Sequence, residues 1–375
     1  MAKEIYFDHA STTPVDREVL DKMLPYFTDI FGNPNSQHGV GRKAVKAVDK
    51  ARDDISCVLN CKPNEVYFTS GGTEGDNFAL KGIAYANKNK CKHIIISSIE
   101  HAGMIESAKA LEKDGFNVDY IKVDSNGIID IKHLEQLLKK ETLLVGVMMA
   151  NNEVGTIQPI KEISKIVHNH NAIMFTDAVQ TAGVLDIDVK ELGVDVLTLS
   201  SHKIYGPKGV GAIYVKNGIL IDSLISGGHQ ERAKRGGTTN TAGVVGLSVA
   251  LTNAEKNREK NFIYVSSLRD RFIEKIEKEI PCAFLNGDRN NRLPANANFT
   301  FNGISGEELL FNLDIEGVCA SLGSACSSGS IEPSHVLLAM GKSKEEAKSS
   351  VRFTFGKDNT IEEIDKSIEI IKDIV

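Results

Sequence analysis

Several features that would direct the interpretation elsewhere are missing from this 375-residue sequence. No apolar run approaches the roughly 20 residues that a membrane-spanning helix needs. Basic residues are not in excess, because the formal net charge is −6 at pH 7, and so no cationic field is available for nucleic acid phosphates. Residues 1–9 carry charges where a signal peptide is apolar. We therefore expect a cytoplasmic protein that binds neither a membrane nor nucleic acid directly.

Cysteine is also scarce. Six cysteines in a chain of this length do not make a disulfide framework. Cys57 and Cys61 have no histidines nearby at ligand spacing, and no intrinsic metal site is expected. Cys57, Cys91 and Cys282 suit core positions, whereas Cys326 lies among glycines and serines that are typical of an accessible loop. The sequence therefore predicts that Cys326 is a reactive thiol.

Apolar, β-branched runs alternate with segments of helical periodicity along most of the chain. Strands that alternate with helices indicate a mostly parallel sheet covered on both faces. We expect a large domain over residues 16–255 and a smaller α+β domain formed by residues 1–15 and 256–375, entered through a helical stretch from Ala242 to Lys278. The predicted strands are Glu65–Thr69, His93–Ser97, Val118–Val123, Leu143–Met149, Ala172–Thr176, Val194–Leu199 and Ala212–Val215.

Polar residues of unusual chemistry follow several of these strands. Ligands in such sheets bind beyond the carboxyl ends of the strands, and these residues are expected to share one pocket. The segment Ser70–Asn77 is a glycine-rich turn between a strand and a helix, which favours either a phosphate site or a plain turn. Its glycine pattern matches neither a Walker loop nor a dinucleotide fingerprint. The residues at strand ends are Thr73, His101, Asn151, Asn152, Asp177, Gln180 and Ser200–Lys203.

Lys203 and Asp177 suggest what the pocket does. A lysine at the mouth of a buried strand is either an ordinary loop residue or an amine that forms a Schiff base with a carbonyl. An aspartate at a neighbouring strand end either caps a turn or keeps a pyridine nitrogen protonated. Together the two residues are what a pyridoxal phosphate (PLP) enzyme needs.

The ordered motifs resemble, over essentially the whole chain, the class V enzymes of PLP fold type I. The closest resemblance is to the cysteine desulfurases of the NifS/IscS type. That resemblance implies a large domain with a mostly parallel seven-stranded sheet and a smaller α+β domain. The matching stretches are Ala10–Pro14, Phe31–Pro34, Thr69–Glu74, Glu100–His101, Asn151–Gly155, Thr176–Gln180, Ser200–Gly209, Gly227–Arg232, Gly236–Thr238, Gly323–Ser334 and Val351–Phe353.

The resemblance implies a role for each matching position. Lys203 would form the Schiff base and then move protons, Asp177 would pair with the pyridine nitrogen, and Cys326 would be the persulfide-forming nucleophile. His101 would stack on the ring and act as an acid or base. The remaining contacts implied are Gln180 to the ring oxygen; Gly72, Thr73, Ser200 and His202 to the phosphate, helped by Thr238 from the partner subunit of a homodimer; Asn152 near the ring and substrate; and Arg352 with Asn33 to the substrate carboxylate.

The implied reaction converts L-cysteine to L-alanine. The substrate would displace Lys203, lose its α-proton and give its sulfur to the Cys326 thiolate, which is the reactive form of the side chain. The persulfide would pass to a NifU/IscU-like scaffold or another acceptor for iron–sulfur cluster or thio-cofactor synthesis. Cys326 would ligate metal only transiently, in a cluster shared with such a scaffold.

Some positions depart from the family pattern, and other functions stay open. Ser201 replaces a glycine, Gly72 and Gly75 replace an alanine and a serine, and Leu322 replaces a serine. The sequence ends at Val375 without the extension that many IscS-type members use to dock a scaffold, which leaves the acceptor open. An aminotransferase or selenocysteine lyase on the same fold is one alternative, and a cofactor-bearing assembly or regulatory partner is another.

Overall fold

The computed structural model describes residues 4–323 and 332–375. Within them, twelve strands form a central seven-stranded sheet and two smaller sheets. The strands are β1 (Ile5–Tyr6), β2 (Val66–Thr69), β3 (His93–Ser97), β4 (Asn117–Ile121), β5 (Thr142–Gly146), β6 (Ile173–Asp177), β7 (Val196–Ser200), β8 (Gly211–Val215), β9 (Ala283–Asn286), β10 (Asn296–Phe301), β11 (Val318–Cys319) and β12 (Ser350–Thr354).

The central sheet confirms the predicted fold class. Its strand order is β2-β8-β7-β6-β5-β3-β4. Strands β4, β3, β5, β6 and β7 pair in parallel, and β8 alone runs antiparallel to its two neighbours, β7 and β2. Because five parallel strands lie side by side, their carboxyl ends share one edge, where a ligand site is expected.

Helices cover both faces of this sheet. A run of helical turns from Gly72 to Asn87 includes a π-helical turn at Phe78–Gly82, and the predicted helix from Ala242 to Lys278 is interrupted at Asn257. The helices are α1 (Arg17–Met23), α2 (Pro25–Thr28), α3 (Gly39–Val58), α4 (Gly72–Asn77), α5 (Ile83–Asn87), α6 (Ala102–Lys113), α7 (Ile131–Leu137), α8 (Ile160–Asn169), α9 (Val189–Leu192), the single turn α10 (Gln230–Ala233), α11 (Thr241–Lys256), α12 (Arg258–Glu279), α13 (Gly306–Ile315), α14 (His335–Ala339), α15 (Lys344–Lys348) and α16 (Ile361–Ile374).

Two layers of apolar side chains bury the faces of the sheet. Successive residues of one strand point to opposite faces, and in β5 Leu144 and Val145 belong to different clusters. On one face Val145 packs in a cluster that includes Ile55 of α3 and Leu247 of α11. On the other face Leu144 packs in a cluster that includes Met104 of α6. The parallel strands are therefore buried on both sides, as their nearly continuous apolar sequences require.

A separate apolar cluster surrounds the antiparallel sheet β12-β10-β9. It contains Phe7, next to strand β1, together with Phe272 of α12, Phe353 of β12 and Ile368 of α16. Strand β1 pairs in parallel with β11, which brings the start of the chain to this part of the fold. No helix in residues 4–323 or 332–375 combines the length and the apolar character needed to cross a bilayer.

Candidate active site

Asp177 and Lys203 lie at the carboxyl ends of adjacent strands. Asp177 is the last residue of β6, and Lys203 closes the short 3-10 turn that follows β7. Asp177 is 6% exposed, and its Oδ1 accepts a 2.7 Å hydrogen bond from the Val179 N–H. Burial raises the pKa of Asp177, while the Val179 N–H, His101 and Lys203 oppose that rise. The acid and the amine therefore interact electrostatically within one site.

The N-terminal segment closes one side of this site. Lys203 Nζ donates to the carbonyl oxygens of Ala10 at 2.5 Å and Ser11 at 2.7 Å. Gln180 Nε2 also donates to the Ala10 carbonyl, at 3.1 Å. Thr13 Oγ1 donates to the His202 carbonyl. These bonds join residues 170 to 193 positions apart and fix the segment over the strand ends.

The start of α4 and the end of β7 form a polar cradle. Gly71 has a φ of 153°, a conformation that favours glycine. A Cβ on Gly72 would lie 2.8 Å from Val179 Cγ2, so only a glycine allows this close approach without a shift of Val179. Thr73 is exposed on the first turn, and Ser200 is buried at the end of β7. Free N–H groups at a helix start beside hydroxyls are suited to a phosphate.

His202 is held neutral at physiological pH. Burial, followed by the charges of Lys203 and Lys208, lowers its pKa to about 4. Its Nδ1 lies 3.1 Å from Thr12 Oγ1. A neutral imidazole beside two lysines remains able to donate one hydrogen bond to an anion.

His101 caps α6 at the same edge of the sheet. Its Nδ1 accepts the Gly103 N–H at 3.0 Å, so the neutral ring carries its proton on Nε2. The preceding residue, Glu100, is completely buried, and burial raises its pKa to about 8. Glu100 Oε1 accepts from Met148 N–H at 2.8 Å and from the Ser97 hydroxyl.

Arg352 lies in β12 with 1% of its surface exposed. Nη1 donates to the carbonyls of Asn152 and Gly323, both at 2.9 Å. Nη2 donates to Asp8 Oδ1 at 2.9 Å and to Ser11 Oγ at 2.8 Å. The guanidinium therefore connects the small sheet, the N-terminal segment and the Asn152 loop. Asn152 and Arg352 are in direct contact through the main-chain carbonyl of Asn152.

The family resemblance also implied site roles for Asn33, Thr238 and Cys326. Asn33 is exposed, and its side chain accepts from Asn35 N–H within its own loop. Thr238 is also exposed. Cys326 lies outside the described residues, which resume at Glu332. On either side of that gap, Gly323 and Ser334 both approach Glu153: Ser334 Oγ bonds Glu153 Oε2, and a Cβ on Gly323 would lie 3.1 Å from the same oxygen.

The other cysteines were only partly predicted. Cys57 is exposed, against the expectation that it fills a core position, because it lies on the outer side of α3. Cys91 and Cys282 are half-buried. Among the residues that the structure describes, no group of three or more histidine, cysteine or acidic side chains is arranged to hold a metal ion.

The residues present fit PLP. Asp177 is a buried acid whose raised pKa calls for a cationic partner, which a protonated pyridine nitrogen supplies. The cradle at Gly71–Thr73 and Ser200 offers N–H and hydroxyl donors for a phosphate. Lys203 follows Ser200 by three residues and has an amine for the aldehyde carbon. The chemistry of each group matches one part of the cofactor.

Sequence reasoning missed several charged residues of the site. Asp8, which holds Arg352, resembles an ordinary turn residue in the sequence. Asp76 on α4 and Glu100 before α6 are completely buried acids that interact with Asp177. Acidic residues near helix starts are common on solvent-exposed surfaces, and no sequence signal reveals that these are buried.

The aminotransferase class V family matches residues 5–366 of the chain. A protein named cysteine desulfurase IscS from Clostridium botulinum (strain Hall) is 50% identical over 100% of this chain and 95% of its own length. A protein of the same name from Dictyoglomus turgidum is 47% identical over 100% and 95%. A solved structure titled NifS-like protein superposes with a TM-score of 0.93 at 36% identity, covering 99% of both chains. The chain therefore belongs to the class V aminotransferase family, among its IscS and NifS-type members.

Proposed function

We propose that the chain is a PLP-dependent cysteine desulfurase, which removes sulfur from L-cysteine to give L-alanine and a persulfide on Cys326. The observation that carries the proposal is the meeting of Lys203 and Asp177 at adjacent strand ends, beside the phosphate cradle and Arg352. The IscS-named relatives cover the whole chain and support the same activity.

PLP, when bound, supplies an electron sink that makes the α-proton of an amino acid removable. Asp177 then provides the negative charge that keeps the pyridine nitrogen protonated. The Val179 N–H fixes one oxygen of that carboxylate and hence its orientation. Ser200, Thr73 and the N–H groups of α4 hold the phosphate end.

Lys203 and His101 are the groups that move protons. The carbonyls of Ala10 and Ser11 accept the Nζ hydrogens of Lys203, and they give the amine a defined position when the substrate has displaced it. Lys203 is therefore placed to take a proton at Nζ and return it. His101 Nδ1 accepts the Gly103 N–H, so the proton that the neutral ring can give up is the one on Nε2.

Arg352 orients the substrate. We propose that its guanidinium binds the carboxylate of L-cysteine, a planar group that matches a bidentate donor. Its Nη1 hydrogens are donated to Asn152 and Gly323, and its Nη2 hydrogens to Asp8 and Ser11. The carboxylate would therefore replace Asp8 and Ser11 at Nη2 and take its second bond from Nε, which has no partner among the described residues. The Cys326 thiolate attacks the substrate sulfur and forms an S–S bond. The C–S bond of the substrate breaks, and its electron pair stays on the substrate carbon.

The decisive experiment measures alanine release from L-cysteine by the full-length protein loaded with PLP. We expect Lys203→Ala and Cys326→Ala to abolish alanine release. Cys57→Ala, which removes an exposed thiol, should leave alanine release unchanged. An aminotransferase would retain activity in Cys326→Ala, because transamination needs no thiol. Absence of alanine despite bound cofactor would favour a regulatory role and contradict the proposal.

We further propose a homodimer in which Thr238 completes the partner's phosphate site. The support is that Thr238 is exposed on its own chain although it belongs to a family motif. Mixing Lys203→Ala with Thr238→Ala chains tests this directly. If Thr238 acts across the interface, random pairing restores roughly a quarter of the wild-type activity through one intact site per mixed dimer. No restoration would show that Thr238 serves its own chain.

The sulfur acceptor is proposed to be a NifU/IscU-like scaffold or another thio-acceptor, and the cytoplasmic location remains a prediction from the sequence. Persulfide carrying labelled sulfur, incubated with cell proteins, would identify which acceptor takes the label. Transfer that requires Cys326 would support the proposed route, and label that stays on the enzyme would contradict it.

A further inference from the structure

Asp76 is a buried acid with no donor to stabilise a negative charge. It lies on α4 with 0% exposure, and neither carboxyl oxygen has a hydrogen-bond partner among the described residues. A Cβ on Gly103 would lie 3.0 Å from Asp76 Oδ2 and 3.2 Å from His101 Nδ1, which places the carboxyl beside the His101 cap of α6. The side chain is therefore packed against the active site but remains covered by protein.

The charges around Asp76 are unfavourable for its ionisation. Burial raises the pKa of Asp76 well above its usual value, and the charges of Asp177 and Glu100 raise it further. Glu74, on the same helix, is paired with Arg235. Of the other groups near α4, His101 uses Nδ1 for Gly103, and Lys203 is bonded to the N-terminal segment. No cation of the described chain is hydrogen-bonded to Asp76.

Glu100 differs from Asp76 in its hydrogen bonds. Its Oε1 accepts from Met148 N–H and the Ser97 hydroxyl, bonds that favour the ionised form and partly offset its burial. Asp177 also has a backbone donor, and Lys203 and His101 favour its charge. Of the three buried acids, only Asp76 lacks any such support. Three buried acids cannot all be ionised when one of them has neither a hydrogen-bond donor nor a positive charge to stabilise its carboxylate.

We propose that Asp76 is a neutral, proton-bearing carboxylic acid that leaves the negative charge of the cluster on Asp177. It is a positioning residue: it acts through Asp177, whose charge the cofactor nitrogen requires, and this role rests on the PLP site proposed above. As a neutral acid Asp76 adds no charge to the cluster, whereas an ionised Asp76 would place a second negative charge beside Asp177.

Infrared difference spectroscopy of the full-length holoenzyme tests the protonation state. At pH 7, wild type minus Asp76→Asn should show the carbonyl band of a protonated carboxyl, and Asp53→Asn, an exposed aspartate on α3, should show only a carboxylate. Asp76→Ser gives the same subtraction if the asparagine variant does not fold. A carboxylate band in place of the acid band overturns the proposal.

The pH dependence of stability provides a second readout that is independent of desulfurase activity. If folded Asp76 keeps its proton and the unfolded side chain loses it near pH 4, folding of the wild type weakens as pH rises. The ratio of the folding equilibrium constant of Asp76→Asn to that of the wild type should therefore rise by up to about tenfold per pH unit between pH 5 and 7. A ratio that does not change with pH overturns the proposal.

Cofactor affinity separates Asp76 from Asp177. Asp76→Asn removes no charge if the acid is neutral, and its PLP affinity should stay within about threefold of wild type, whereas Asp177→Asn should lose tenfold or more. A loss of tenfold or more in Asp76→Asn would show that its charge is needed and would overturn the inference. These three measurements do not depend on whether L-cysteine is the substrate, so they can fail or succeed separately from the proposed function.

Discussion

Arg352 Nη2 donates to Asp8 Oδ1 at 2.9 Å, in an ion pair whose arginine side chain is 2% exposed. The two residues are 344 positions apart, and their bond ties the last strand of the small sheet to the segment that holds Lys203. The arginine is buried and Asp8 is partly exposed, and such a pair contributes most visibly when Asp8 is removed, because the buried Arg352 charge is left uncompensated.

We expect Asp8→Ala to destabilise the protein by about 3 kcal/mol, because Arg352 would stay buried without its counter-charge. Asp8→Asn should cost less, since its amide oxygen still accepts from Nη2. Urea unfolding measures both. Glu191→Ala, which removes an exposed partner of Lys161, is the control and should cost less than about 1 kcal/mol. Equal effects at Asp8 and Glu191 would contradict a buried pair.

The proposed binding of the L-cysteine carboxylate by Arg352 gives a kinetic prediction. Arg352→Lys keeps the charge but loses the planar pair of donors, and we expect KM for L-cysteine to rise about tenfold or more, with kcat changed less. Arg271→Lys alters a similar side chain in an exposed pair with Asp365 and should leave both constants unchanged. An unaltered KM in Arg352→Lys would exclude carboxylate binding by this arginine.

Removal of the Ser201 hydroxyl is expected to stabilise the fold. Its side chain is buried and its Oγ has no partner among the described residues. Ser201→Ala removes an unsatisfied hydroxyl and should stabilise the fold by about 1 kcal/mol, as measured by urea unfolding. Ser248→Ala removes a buried hydroxyl that is bonded to Asp54 and should have the opposite sign. Destabilisation in both variants would show that Ser201 has a partner.

Because the pKa of His202 is lowered on folding, we expect the stability of the apoenzyme to depend on pH. Its pKa is near 4 in the folded chain and near 6.5 when unfolded, so the unfolded state binds more protons between these values. The stability from neutral His202 is complete above pH 6.5 and is lost as the pH falls toward 4. His202→Gln should remove this part of the acid sensitivity, whereas His229→Gln, on an exposed residue, should not. Thermal unfolding from pH 4 to 8 measures the difference.

The sequence was most informative where a pattern repeats over several residues. The strand runs ending near Thr176 and Leu199 predicted the sheet, and hence the meeting of Asp177 with Lys203. Helical periodicity also continues across Asn257, which is why the break between α11 and α12 was not predicted. A local change of backbone direction leaves the apolar spacing on both sides intact, and periodicity alone does not reveal it.

Long-range contacts could not be predicted from spacing. The carbonyls of Ala10 and Ser11 that hold Lys203 are main-chain groups, which every residue has, and nothing in the sequence distinguishes them. Asp76 follows a glycine loop like a common helix-start acid. Its burial depends on α6 packing against α4 through Gly103, a contact between segments whose pairing the sequence does not encode locally.

The last prediction concerns backbone strain in the turn α10. Glu231, Arg232 and Ala233 have φ values of 45°, 56° and 60°, so three consecutive residues other than glycine are left-handed. Arg52 holds Glu231 through two bonds, at 2.9 and 2.8 Å, and Arg232 lies over the Tyr67 ring. These contacts require Glu231 and Arg232, whereas the exposed Ala233 only adopts the same conformation.

Ala233→Gly should therefore stabilise the protein by about 0.5–1 kcal/mol. A side chain in the left-handed region costs about 1–2 kcal/mol, and part of the relief is offset because glycine raises the entropy of the unfolded chain. Ala110→Gly in the middle of α6 has ordinary helical geometry and should cost about 1 kcal/mol. Urea unfolding of the two variants should give opposite signs. A loss of stability at Ala233 would mean that its methyl group makes a contact worth more than the strain.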